Sequence, residues 1–102
     1  LAVTSAKPSA LAPGLPTVAA TVPGFQIGSA TSLLAPARTP ADIIKRLNQE
    51  IVRLLNQPDV KEKFFNVGVE VVASSPQEFA AAMKSEMARL GKVINSAGLR
   101  EN

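Results

Sequence analysis

With no histidine and no cysteine in 102 residues, the remaining route to acid/base chemistry runs through carboxylates. Asp42, Glu50, Asp59, Glu62, Glu78 and Glu86 all fall on predicted helices, most beside a basic neighbour or in a first helical turn. A carboxylate becomes a general acid or base near neutral pH when burial or a like charge raises its pKa, and nothing around these residues predicts that burial. They read as helix-capping and surface charge. Ser29 and Ser32 have no base to activate them, and the absence of histidine removes Ser-His-Asp and Cys-His nucleophilic chemistry. Thiolate and imidazole metal sites are excluded for the same reason. The APG and VPG turns lack the spacing and following lysine of a phosphate loop. Met83 and Met87 read as core filler rather than as a ligand groove. The sequence therefore predicts no enzyme, no metal and no cofactor.

The elements that would position any site come next. The stretch Leu33 to Leu55 (LLAPARTPADIIKRLNQEIVRLL) reads as the end of an apolar strand, a proline-framed corner and an amphipathic helix over about Pro40 to Asn56. Thr39 is the predicted N-cap, Pro40 the first helical residue, and Asp42 a first-turn anion that suits the helix dipole. Ile43, Ile44, Leu47, Ile51, Leu54 and Leu55 form one apolar stripe. Pro58 and Asp59 start a second helix, whose predicted buried stripe is Val60, Phe64 and Val67, with Gly68 as its left-handed stop. Ser75, Pro76 and Glu78 spell a capping box at the head of a third helix running to about Ser96. Phe79, Met83, Met87, Leu90 and Ile94 form its seam, with Gly91 as a possible point of close crossing. Gly98 ends it, and Leu99 to Asn102 is a polar tail.

Strands are predicted at Leu1–Ser5, Phe25–Leu34 and Val69–Ala73, on β-branched content and partial alternation. Between the first two, KPSALAPGLP is a surface connection, and Thr17 to Thr21 is either a single helical turn or a plain loop. Ser29 to Ser32 carry side chains short enough to admit another group against the backbone, or simply to pack under a helix. The expected class is α/β: short sheet strands covered by three main helices, with residues 1–38 supplying strands and proline-rich connections and 39–102 the helices.

Net charge is +3, yet residues 1 to 37 hold only Lys7, and from Arg38 onward the signs are mixed. That is the pattern of solvated helix faces. A nucleic-acid surface needs clustered cations with base-reading side chains, and neither is visible. No run reaches the ~20 apolar residues of a membrane span, and LAVTSAKPSA lacks the basic and apolar regions of a signal peptide. The chain begins without methionine in what reads as a buried strand, which leads us to expect a longer protein.

The ordered series LAVTSAK, LPTVA, LLAPA-x-TP, ADIIKRLNQEI, QPDVKEKF, G-x-E-x-V, SPQEFAAAMKSE and VINSAGL resembles the C-terminal third of the Bug receptors. These are the tripartite tricarboxylate transporter solute-binding proteins, related to the citrate receptor TctC. The resemblance covers nearly the whole chain. It implies a partial lobe of a type II periplasmic-binding-protein-like fold, in a two-lobed periplasmic receptor that captures a small carboxylate-bearing solute for membrane transporter subunits. Ser29, Ala30 and Thr31 are then the ligand-side candidates, offering backbone amides to a carboxylate. Three departures stand out. Ser29-Ala30-Thr31-Ser32 lacks the aromatic residue and glycine often found there, Arg38 stands where glycine is common, and Leu90 replaces a frequent tryptophan. A different class remains open: a small helical module with no ligand of its own, forming a homo-oligomer through exposed helix or strand faces.

Overall fold

In the computed structural model, which describes residues 1–99, the apolar rhythm after Thr39 becomes three helices: α1 (Ala41–Leu55), α2 (Pro58–Asn66) and α3 (Pro76–Ser96). The end of the predicted tail, residues 100–102, lies outside the described residues.

The start of α1 differs by one residue from the expectation. Pro40 is the N-cap, extended at ψ 142°, and its carbonyl accepts from the amides of Ile43 and Ile44. Thr39 does not cap, because its hydroxyl donates to the Pro36 carbonyl at 2.7 Å. The Thr39 amide donates to the same oxygen at 3.2 Å. Together they close a four-residue turn whose third residue, Arg38, has φ +69°. That is the left-handed position of a type II turn, where glycine is the favoured residue.

The other helix ends follow their sequence signals. At the foot of α2, Gly68 (φ +81°) sends its amide to the Phe65 carbonyl at 2.9 Å while Val69 donates to Phe64 at 2.9 Å. Gly98 and Leu99 repeat that arrangement on Asn95 and Ile94. Both are Schellman motifs, in which two otherwise orphaned carbonyls are satisfied by residues just past the helix. At the head of α3 the capping box is complete: the Glu78 amide donates to the Ser75 hydroxyl at 3.1 Å, and the Ser75 amide donates to the Glu78 carboxylate at 2.8 Å.

The three predicted strands do not form within this chain: among the described residues there is no strand. The predicted strand segments are linked by a parallel bridge between Val3 and Thr17, by the Ile27 amide donating to the Thr4 carbonyl at 3.0 Å, and by the Ser9 hydroxyl donating to Glu70. Residues 69–73 have no regular structure, and Ala73 lies in the left-handed region (φ +50°). A strand needs a ladder of bonds to a paired neighbour, and short segments without further strands and a shared apolar face do not hold one. Thr17 to Thr21 resolves as one 3-10 turn at Val18–Ala20, without a side-chain cap from Thr17.

The predicted buried stripes are corrected as well. Among the described residues no side chain is fully buried. Along α1, Ile44, Ile51 and Leu55 are half-buried while Ile43, Leu47 and Leu54 are about half exposed. On α2 only Val60 is half-buried; Phe64 is scarcely better covered than Phe65, and Val67 is open. On α3 Phe79 is half-buried, but Met83, Met87, Leu90 and Ile94 face out, so the methionines fill no core here. A side chain at Gly91 would meet nothing, so Gly91 serves no close crossing. The radius of gyration is 16.7 Å, against about 13 Å for a compact domain of this length. Apolar faces have been built, but they are not covered from within.

Candidate functional site

Ser29, Ala30 and Thr31 lie in an irregular run between Phe25 and the turn at Pro36, and all three are exposed. The run is held at its root. Phe25 is half-buried and its amide donates to the Val22 carbonyl at 3.1 Å. The Gln26 carbonyl accepts from Arg89 of α3 at 2.7 Å, and Ile27 is bonded to Thr4. Beyond that root, among the described residues, no hydrogen bond engages Gly28 through Ala35. The amides of Ser29, Ala30 and Thr31 are therefore unspent donors, the group that a carboxylate seeks. The structure gathers these three by sequence adjacency and brings no charged side chain into hydrogen-bond contact with them.

The carboxylates take structural roles. Glu78 has its pKa lowered from the ordinary 4.5, chiefly by the backbone amide of Ser75. Glu86 is lowered by its hydrogen bonds with Arg89, a paired geometry of 3.2 and 2.7 Å. Glu50 faces Arg53 at 3.9 Å in an exposed pair that adds little. Glu70 accepts from the Ser9 hydroxyl. Glu78 and Glu86 are both shifted away from the raised pKa of a proton-transfer group, and among the described residues no three carboxylates gather as a metal cluster would require.

Two side chains that matter to the geometry carry no motif. Arg89 crosses from α3 to Gln26, 63 residues earlier in the chain. Asn48 of α1 donates from Nδ2 to the Ser74 carbonyl at 3.0 Å, which ties α1 to the corner before α3. The spacing of Glu86 and Arg89 suits a helical ion pair. Nothing local in the sequence points from either residue to its distant carbonyl.

Residues 1–99 match the family profile described as the Tripartite tricarboxylate transporter family receptor. A UPF0065 protein in the tcbD-tcbE intergenic region of Pseudomonas sp. is 35% identical over 100% of this chain and 31% of its own length. A second, in the clcB-clcD intergenic region of Pseudomonas knackmussii, is 31% identical over 100% of this chain and 62% of its own. Among solved structures, R. palustris Rpa4515 with adipate is 36% identical and superposes with a TM-score of 0.80, covering 96% of this chain and 33% of that one. The chain thus spans about a third of the first relative and of the structural neighbour. With the match running from the first residue to the last one described, this chain belongs to the tripartite tricarboxylate transporter receptor family.

Proposed function

We propose that this chain is the C-terminal portion of an extracytoplasmic, two-lobed solute-binding receptor that captures a small carboxylate-bearing solute and delivers it to a tripartite tricarboxylate-type transporter. In the complete receptor, Leu1–Ser5, Phe25–Leu34 and Val69–Ala73 pair with strands contributed by the remainder, and α1 to α3 cover that sheet. Ser29, Ala30 and Thr31 present their amides to the solute carboxylate.

The observation that carries this reading is the family match over residues 1–99, and the exposed apolar faces are consistent with it. Ile43, Leu47 and Leu54 of α1 are 46–51% exposed, although burying such side chains is worth about 1.5–3 kcal/mol each. A stripe of that kind calls for a covering layer. The solute class draws support from the neighbour whose structure holds adipate, a dicarboxylate. The receptor's task is capture and release, so no proton-transfer group is required of it.

Isothermal titration of the full-length receptor against adipate and a panel of other di- and tricarboxylates tests the reading. Saturable heats are expected for at least one acid, and substituting Ser29 and Thr31 by proline, which removes two amides, is expected to abolish them. Heats equal to buffer across the panel would refute the carboxylate assignment. The same exposed faces also suit self-association of the chain by itself. Size-exclusion chromatography with light scattering separates the two: a full-length monomer that binds solute excludes the self-associating module, and an obligate oligomer without solute binding supports it.

A further inference from the structure

Arg89 is where α3 takes hold of the candidate ligand segment. Its Nε and Nη2 donate to the two carboxylate oxygens of Glu86 at 3.2 and 2.7 Å. Its Nη1 donates to the Gln26 carbonyl at 2.7 Å. The Arg89 side chain is 32% exposed; its bonds to Glu86 are partly buried and its bond to Gln26 is exposed. Gln26 stands three residues before Ser29, and the next amide, Ile27, is gripped from the other side by the Thr4 carbonyl at 3.0 Å. From Gly28 to Ala35 no further hydrogen bond steers the chain among the described residues. The direction in which Ser29, Ala30 and Thr31 leave the fold is therefore set at this one root.

A planar guanidinium suits that task. One edge of the fork, Nε and Nη2, is locked by Glu86, which leaves the third nitrogen, Nη1, aimed without further rotamer search. A lysine ammonium is a single point donor on a flexible stem, unable to hold a carboxylate bidentately and reach a carbonyl in a fixed direction. A mere surface pair at this spacing would add little to the helix and touch nothing else. The contact with Gln26 separates Arg89 from that ordinary role.

We propose that Arg89, oriented by Glu86, is a positioning residue for solute binding: it fixes the Gln26 carbonyl and so aims the amides of Ser29, Ala30 and Thr31 without touching the solute. The inference rests on the proposed assignment of those three residues to the solute side.

The test uses the full-length receptor and the variants R89A, R89K and E86Q, with adipate as the probe. Amide hydrogen exchange reads the root directly. R89A is expected to raise exchange at Ile27 about tenfold, since local opening then costs one bond less, while α1 and α2 amides keep their wild-type rates. Titration calorimetry is expected to show adipate affinity reduced roughly tenfold in R89A, because an ordering cost is moved onto binding. R89K and E86Q should fall between R89A and wild type in both measurements. Unchanged exchange at Ile27 in R89A would overturn the inference. Faster exchange with unaltered adipate affinity would overturn it too, since Arg89 would then hold the segment without serving binding. Should R89A not fold, R89K carries the test, and wild-type behaviour in both measurements would refute the role of the fork. If the wild-type receptor binds neither adipate nor another acid of the panel, the receptor reading fails, and the exchange data alone decide whether Arg89 holds the segment.

Discussion

In α1, α2 and α3 and the turns that end them, the backbone closes its own hydrogen bonds. From Leu1 to Pro36 the chain has one 3-10 turn, a single bridge and long stretches whose amides engage nothing in the described structure. The contrast is one of where partners lie. A helix finds its acceptors four residues back, so its local geometry needs no distant help, although its apolar face still does. An extended segment finds acceptors only on a neighbour. The C-terminal part is therefore shaped but uncovered, and the N-terminal part is paired only at one bridge and one further bond.

The substitution that would break this comparison most visibly is Leu47→Ala. Leu47 is 49% exposed here, so in the isolated chain the change should leave far-ultraviolet circular dichroism unaltered. In the full-length receptor a covered Leu47 should cost about 2–5 kcal/mol in urea unfolding. Equal, negligible effects in both would mean that no layer covers α1.

Next in size are the caps, which probe how self-contained the helices are. Gly68→Ala places a Cβ at φ +81° and should cost about 1–2 kcal/mol, visible as a lowered urea midpoint. A neutral result would show that α2 does not end on its Schellman turn. Ser75→Ala should cost about 1 kcal/mol by loss of the N-cap acceptor. The Glu78 half of that box titrates. Its pKa is lowered from 4.5 in the fold, so its contribution is complete above the ordinary carboxylate range and fades as pH falls through the lowered value. Glu86 follows the same sign through Arg89. Stability of α3 followed across an acid titration should decline in that direction, and Glu78→Gln should flatten part of the slope.

The smallest expected effect is a gain. Arg38 sits at φ +69°, where a non-glycine residue pays about 1–2 kcal/mol. Glycine relieves that strain but costs about 0.5–1 kcal/mol of chain entropy. Arg38→Gly should therefore raise stability by roughly 0.5 kcal/mol, read as a small upward shift of the urea midpoint. A loss would mean that the Arg38 side chain makes contacts outweighing its backbone strain.

Much of the helical part was legible beforehand. Pro58, Ser75, Gly68 and Gly98 each mark a boundary that the structure keeps. Thr39 misled by one position, because its hydroxyl turned back to Pro36 rather than forward into the helix. The stripes of α1, α2 and α3 were legible as faces but not as burial. Amphipathicity states which side wants covering, and the cover is a tertiary matter. Of the candidate site, only the small side chains of Ser29, Ala30 and Thr31 could be read in advance, with the solute role drawn from family resemblance.

By itself the sequence determined where α2 and α3 start and stop, since those choices are made by residues within four positions of one another. Only the tertiary structure decided that Arg89 meets Gln26 and that Asn48 meets Ser74, across 63 and 26 residues of chain. It also decided that the strand-like segments form no ladder among the described residues. A backbone carbonyl looks the same at every position, so no local rule can say which distant donor will reach it.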